Sequence, residues 1–143
     1  MTDPSKPTPQ GGGHAVRMSM TVVPRLALAD ADAAIDFYRR ALGAELVERV
    51  TDPDGRVVHA ELRIGTSKVS VKDADDHDRS PADLGGSPIV MQLDTDDVDA
   101  VAASMEAAGA TVVFPVGDQD YGYRDGRLQD PFGLQWLLSQ RLT

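Results

Sequence analysis

The stretch "VVHAELRIG", Val57 to Gly65, places His59, Glu61 and Arg63 at alternate positions. Alternate side chains of an extended strand project to one face, so this spacing predicts an imidazole, a carboxylate and a guanidinium in a single row. Such a row suits proton transfer, with His59 or Glu61 as base and Arg63, or Arg25 from another strand, steadying an enolate or carboxylate. A neighbouring guanidinium also lowers the pKa of a carboxyl, which makes Glu61 a weaker base unless burial offsets it. The same two residues offer donors to a metal, but a divalent ion needs several and the sequence names no clear third. The bland alternative is a cross-strand charge ladder worth about a few tenths of a kcal/mol per pair. Elsewhere Gln92 and Gln135 sit within predicted strands, and "YGYRDG" carries Tyr121 and Tyr123, either as stacking surface for an aromatic ligand or as rim packing.

The elements that must position these groups follow from an internal repeat. "ADADAAIDFYRRALGAE" (Ala29 to Glu45) aligns without gaps on "TDDVDAVAASMEAAGAT" (Thr95 to Thr111), setting Asp30 against Asp96 and Gly43 against Gly109. Each segment reads as a helix with an aspartate N-cap and a glycine beyond its C-terminus. Apolar residues recur at helical spacing: Ala34, Ile35, Tyr38, Ala41 and Leu42 in the first, Val98, Val101, Ala102, Met105 and Ala108 in the second. One strand precedes each helix and three follow it, near 20–28, 45–51, 56–64 and 68–72, then near 88–94, 111–116, 123–129 and 134–139. The fold class is therefore α+β, a tandem βαβββ. The expected organisation is one domain over 19–143, with module one at 19–73, a charged linker at 74–86 and module two at 87–143. The Asp-rich start of the linker is not a calcium loop, because an EF-hand register opening at Asp73 meets Asp78 where glycine is needed and Leu84 where glutamate is needed. His77 reads as a solvated loop residue.

Alternation sorts the strand faces. Toward the helices it assigns Val22, Pro24, Leu26 and Leu28; Val58, Ala60, Leu62 and Ile64; Val69 and Val71; Ile89, Met91 and Leu93; and Leu134, Trp136 and Leu138. The opposite faces then carry Val23, Arg25, His59, Glu61, Arg63, Ser70, Val90, Gln92, Gln135 and Leu137, together with Lys68, Lys72, Asp94 and Ser139. These faces either line a cup or are wet, the ordinary state of one side of an antiparallel sheet.

Bulk properties narrow the choice of function. The chain has 143 residues, no cysteine and a net charge of −9. That length holds a core without staples, and disulfides and thiolate metal sites are excluded. The acidity disfavours nucleic-acid backbones and anionic membrane surfaces. No apolar run approaches the roughly 20 residues a membrane helix requires. Residues 1–18, rich in Pro and Gly and without a hydrophobic signal region, are expected to be a disordered tail in which His14 is idle, with Met18 and Met20 as possible alternative starts. The expected location is the cytoplasm.

The doubled βαβββ pattern, with "PRLALADADAAIDFYRRALGAE", "VVHAELRIGTSKVSV" and "YGYRDGRLQDPFGLQWLL", resembles the vicinal oxygen chelate superfamily of glyoxalase I, bleomycin-resistance proteins and extradiol dioxygenases. The resemblance implies a curled mixed sheet whose faces away from the helices line a cup-shaped pocket. It also implies that a metal-dependent member would carry His, Glu or Gln on the first, fourth, fifth and last strands. Here those positions fall on Val23, Ser70, Val90 and Leu137, the same face that alternation assigns them. Three hydrocarbons and a hydroxyl cannot grip a divalent ion. A one-residue slip, to Pro24, Val71, Ile89 and Trp136, does no better. The expectation is a cup that uses no metal and no cofactor, holding a small molecule in the manner of the bleomycin-resistance branch, such as an antibiotic or other natural product. Val23, Val90 and Leu137 would form its apolar floor, with Ser70 beside them. Arg25, His59, Glu61, Arg63, Gln92 and Gln135 would orient the ligand, and Tyr121 and Tyr123 would stack on it. A metal-free lyase or isomerase using His59 and Glu61 stays open, as does a metal-dependent glyoxalase or dioxygenase. The resemblance further implies a homodimer, with modules exchanged in some relatives.

Overall fold

The computed structural model describes residues 19–143, so the expected tail at 1–18 and His14 lie outside the described residues. The element order is β1 (Arg25–Leu28), α1 (Ala31–Leu42), β2 (Glu45–Thr51), β3 (Val57–Ile64), β4 (Ser67–Asp73), α2 (Pro81–Leu84), β5 (Val90–Asp94), α3 (Val98–Ala108), β6 (Thr111–Asp118), β7 (Tyr123–Gln129) and β8 (Gln135–Arg141). The strands form two four-stranded sheets of the same topology, β1-β4-β3-β2 and β5-β8-β7-β6. In each, the first strand runs parallel to the last and the remaining pairs are antiparallel. The sequence repeat is thus a structural one, and the mixed α+β class is as expected.

The helix ends show why the repeat is readable. Asp30 caps α1, its side chain accepting from the Ala33 amide, and Gly43 ends it at φ 64°. The second helix departs from the alignment by one residue: its N-cap is Asp97, which accepts from the Ala100 amide, and not Asp96. α3 is accordingly 11 residues long against 12 for α1, although both stop at the aligned glycines. The second residue of each helix is also matched. Asp32 takes both Nε and Nη2 of Arg49 on β2, and Asp99 takes both from Arg124 on β7. These bidentate contacts hold both carboxyls below their usual pKa, with the guanidinium hydrogen bonds as the main cause.

The core lies between the helices and the helix-facing sides of the sheets. Leu26, Leu28, Ala60, Leu62, Val69, Val71, Leu134, Trp136 and Leu138 are buried as alternation requires, and Phe37, absent from the helical stripe, joins them. The aspartate of "DPFG" ties the halves together. Asp130 is 2% exposed; its Oδ2 accepts from Tyr38 Oη (2.5 Å) and Trp136 Nε1 (3.0 Å), and its Oδ1 from the Phe132 and Leu134 amides (2.9 and 3.0 Å). Tyr38 belongs to α1, so one carboxylate joins the helix of module one to the last hairpin of module two. Phe132 completes an aromatic cluster with Phe37 and Tyr38. Gly133 has φ 96°, a conformation other residues rarely adopt.

Several face assignments need correction. Val57 is 1% exposed and Val58 38%, the reverse of strict alternation, because a bulge shifts the β2–β3 register between Val50 and Thr51. Val22 and Ile89 are 93% and 60% exposed, since β1 and β5 begin only at Arg25 and Val90. Ser70 and Lys72 are buried on the face expected to be open. Lys72 Nζ bonds Asp75 and Asp78, two aspartates of the rejected calcium loop. The linker is more than a spacer: Ser80 and Asp83 form a capping box that starts the single turn of α2. His77 is exposed, as expected.

Candidate functional site

On the first sheet, the structure gathers Arg25, His59 and Ser70. Arg25 Nη1 lies 3.3 Å from His59 Nδ1 and donates to Ser70 Oγ at 3.2 Å, while Arg25 Nη2 donates to the Val58 carbonyl at 3.0 Å. Ser70 Oγ is itself 3.3 Å from His59 Nδ1. A guanidinium can only donate, so Nδ1 accepts and the proton of the neutral imidazole sits on Nε2. Nε2 faces Glu48 Oε1 at 3.5 Å. Glu48, on β2, was not singled out from sequence. With His59 and Glu61 it forms a trio whose donor atoms lie within 4.8 Å of one another, supplying the third metal donor that the sequence did not reveal. Two features oppose an ion there. Lys68 Nζ stands 3.9 Å from Glu61 Oε1, and a metal on Nε2 would drive the imidazole proton to Nδ1, against Arg25. Arg63 is exposed at the far end of the row, beside Lys68 in the register. Val23 precedes β1 and is half-buried.

On the second sheet, the face away from α3 is identified by β7. Gly126 and Leu128 are buried and Arg124 reaches α3, so Tyr123, Asp125 and Arg127 point the other way. Cross-strand register sets Asp94, Ser139 and Asp125 in one row, and Gln92, Leu137 and Arg127 in the next. Over the first row lies a hollow of about 630 Å³ bordered by four expected residues, Gln92, Tyr121, Tyr123 and Leu137. Asp94, Asp96, Asp125, Ser139 and Arg141 also border it. Of these, Asp94 and Ser139 were assigned to this face by alternation, whereas Asp125 and Arg141 had no signal beyond period-two spacing from Tyr123 and Ser139. Gln135 accepts from Arg127 Nη1 at 2.9 Å, outside the hollow, and Val90 is 41% exposed beside Gln135.

The tyrosine rings are 6.0 Å apart and tilted by 40°. Tyr121 Oη donates to Asp125 Oδ2 at 2.7 Å, and this hydrogen bond, with the charges of Asp125 and Asp120, raises the Tyr121 pKa. Among the described residues, two buried side-chain atoms lack any hydrogen-bond partner, Asp125 Oδ1 and Arg127 Nε, both on this face of β7. Native proteins leave few such atoms, and here one is an acceptor and the other a donor.

The expected site residues therefore form two groups, one per sheet. α1 packs against α3, and among the described residues no strand of one sheet makes extensive contact with a strand of the other. A second hollow, of about 660 Å³, runs along β1 and the linker to Ile89 and Leu134; it is bordered by Arg25 but not by His59, Glu61 or Ser70.

Comparison with known proteins agrees with this architecture. Residues 13–138 match the model of the Glyoxalase/Bleomycin resistance protein/Dioxygenase superfamily, and the chain belongs to that family. An uncharacterized protein of Mycobacterium tuberculosis strain H37Rv is 40% identical over 136 residues, covering 92% of this chain and 80% of that one. One from Mycobacterium bovis is 40% identical over 131 residues, covering 88% and 86%. Among solved structures, TioX from Micromonospora sp. ML1 superimposes with a TM-score of 0.66 at 27% identity, covering 87% of this chain and 98% of its own. An Arabidopsis thaliana gene product gives 0.68 at 26% identity, covering 85% and 99%.

Proposed function

We propose that this protein is a metal-independent small-molecule-binding member of the superfamily, which sequesters an antibiotic or other natural product. The observation that carries the reading is the chemistry at the four positions where a metal-dependent relative would place its ligands. Val23, Val90 and Leu137 are hydrocarbon, and the hydroxyl of Ser70 is already shared between Arg25 and His59. The hollow on the second sheet adds a concave surface in which Tyr121, Tyr123 and Leu137 supply apolar area among mostly polar neighbours. The His59 arrangement also favours binding over proton chemistry, because its accepting nitrogen is engaged by Arg25 and the other carries the proton. Two sheets whose strands make no extensive contact with each other among the described residues, with apolar Val22, Leu84 and Ile89 exposed beside the edge strands, support a homodimer in which each cup draws on both chains. The protein acts in the cytoplasm, and no helix among the described residues is long and apolar enough to cross a membrane.

A second reading rests on the Glu48–His59–Glu61 trio, which would hold a divalent ion away from the family positions. One experiment separates the two readings. The full chain is purified without chelator, its metal content is measured, and it is titrated with a panel of natural-product antibiotics whose recovery is followed by mass spectrometry. Substoichiometric metal with unchanged ligand recovered from a tight complex is the expected result. A stoichiometric metal lost in His59→Ala establishes the second reading, and a chemically altered ligand without metal establishes a lyase or isomerase. Light scattering on the same sample is expected to give twice the chain mass.

A further inference from the structure

The tripeptide Asp-Gly-Arg occurs twice in this chain, at 54–56 and at 125–127, and the chain has no asparagine. An aspartate followed by glycine is open to a slow rearrangement. The glycine amide nitrogen attacks the aspartate Cγ, a C–N bond forms, and one side-chain oxygen leaves as water with the amide proton. The cyclic imide then takes up water again. Addition at the former main-chain carbonyl breaks that C–N bond and leaves the chain running through the side chain, an isoaspartyl residue. Glycine favours the closure because it has no Cβ to crowd the ring. We infer that Asp54 is such a modification site in the folded protein and that Asp125 is not.

Asp54 and Gly55 are exposed at the tip between β2 and β3, where Gly55 has φ 85° and open space at the position of a Cβ. The amides of Asp54 and Arg56 both donate to Asp52 Oδ1, so the turn is held by Asp52 and not by the Asp54 carboxyl. The Gly55 amide must leave the Asp52 carbonyl, 3.0 Å away. That is a single exposed turn bond, which opens locally without unfolding either strand. Asp52 is itself exempt, because Pro53 has no N–H to give up.

Asp125 and Gly126 carry the same neighbours on the reacting side into the middle of β7. Asp125 pairs with Gly117 on β6 and Ser139 on β8, and Gly126 with Leu138. Gly126 is buried, with Val116 Cγ2 only 2.6 Å from where a Cβ would stand, and Tyr121 holds Asp125 Oδ2 at 2.7 Å. Bringing the Gly126 nitrogen onto Cγ takes Asp125 out of its extended conformation and breaks the central ladder of the sheet, an opening close to global unfolding.

The rearrangement adds a methylene to the main chain beside the hydrogen bond that closes the hairpin, Asp52 N–H to the Arg56 carbonyl. The two strands that meet there carry Glu48 and His59, so the first sheet is the one whose pairing changes with age. The α-carboxyl freed at the isoaspartyl residue is the group that isoaspartyl methyltransferases esterify, which makes that enzyme class the partner chemistry of this site.

The full chain is incubated at neutral pH, folded and in urea, and digested with trypsin, which separates Val50–Arg56 from Asp125–Arg127. Isoaspartate is read by methyl transfer from an isoaspartyl methyltransferase and by fragmentation of each peptide. In the folded chain it is expected to accumulate at Asp54 at least about tenfold faster than at Asp125. In urea the two sites are expected to react at similar rates. Asp54→Glu keeps the charge but demands a larger ring, and is expected to remove the signal from the folded chain. Hydrogen exchange at the Asp52 amide is expected to quicken in the isoaspartyl form and to slow again after repair by the methyltransferase. Equal rates at the two sites in the folded chain, or no isoaspartate at Asp54 while the urea sample forms it, overturns the site. A signal that survives Asp54→Glu does the same, and unchanged exchange at Asp52 overturns the effect on strand pairing.

Discussion

Replacing Asp130 tests the tie between the two modules. Its carboxylate accepts four hydrogen bonds, two from side chains that are themselves buried, Tyr38 at 0% and Trp136 at 3% exposure. Asp130→Ala leaves the phenol and the indole N–H without partners, at about 1–3 kcal/mol each, and frees two turn amides. Part of this is returned, because a buried charge no longer has to be desolvated. The net expectation is a loss of about 3–4 kcal/mol, a large share of the roughly 5–15 kcal/mol typical of a domain. Asp130→Asn should cost about 1–2 kcal/mol less than Asp130→Ala, since one oxygen remains for the amides and the Tyr38 hydroxyl can turn to accept, leaving only the indole N–H in conflict. Trp136, in contact with both groups, reports urea unfolding by its fluorescence. A cycle with Tyr38→Phe should give a coupling of about 1 kcal/mol or more between Asp130 and Tyr38. A loss below about 1 kcal/mol for Asp130→Ala, with Tyr38→Phe additive to it, would refute the view that this carboxylate joins the modules.

Two further outcomes follow from the same region and its neighbour. A Cβ on Gly133 would sit 2.9 Å from Pro81 Cβ at a φ of +96°, so Gly133→Ala should destabilise the chain by about 2 kcal/mol in urea melts, with the amides of α2 losing hydrogen-exchange protection first. The Tyr38 pKa is raised well above its usual value of 10.0 by burial first and by Asp130 second, so the folded state holds this proton more tightly than the unfolded chain does. That stability is complete below about pH 10 and is lost as pH climbs from there toward the folded pKa, and Tyr38→Phe should remove this part of the alkaline loss in melts measured from pH 8 to 11.

The sequence by itself determined the repeat, the two long helices and their glycine stops, the succession of strands along the chain and most of the core, because these depend on local periodicity and capping. It also placed Trp136 in the core, since strand parity needs only counting. Tertiary structure decided what counting could not. A bulge in the β2–β3 pairing exchanged Val57 for Val58, and strand onset exposed Val22 and Ile89. Glu48 joined His59 and Glu61 only because β2 lies beside β3, and Asp125 borders the hollow because β7 pairs with β8 opposite Ser139. Pairing between strands brings together residues far apart in the chain, and which of them meet is set by register and bulges rather than by the local pattern of either strand. The aspartate of "DPFG" shows both halves of this: its turn was legible from four letters, whereas its hold on Tyr38 exists only because α1 packs on the last hairpin.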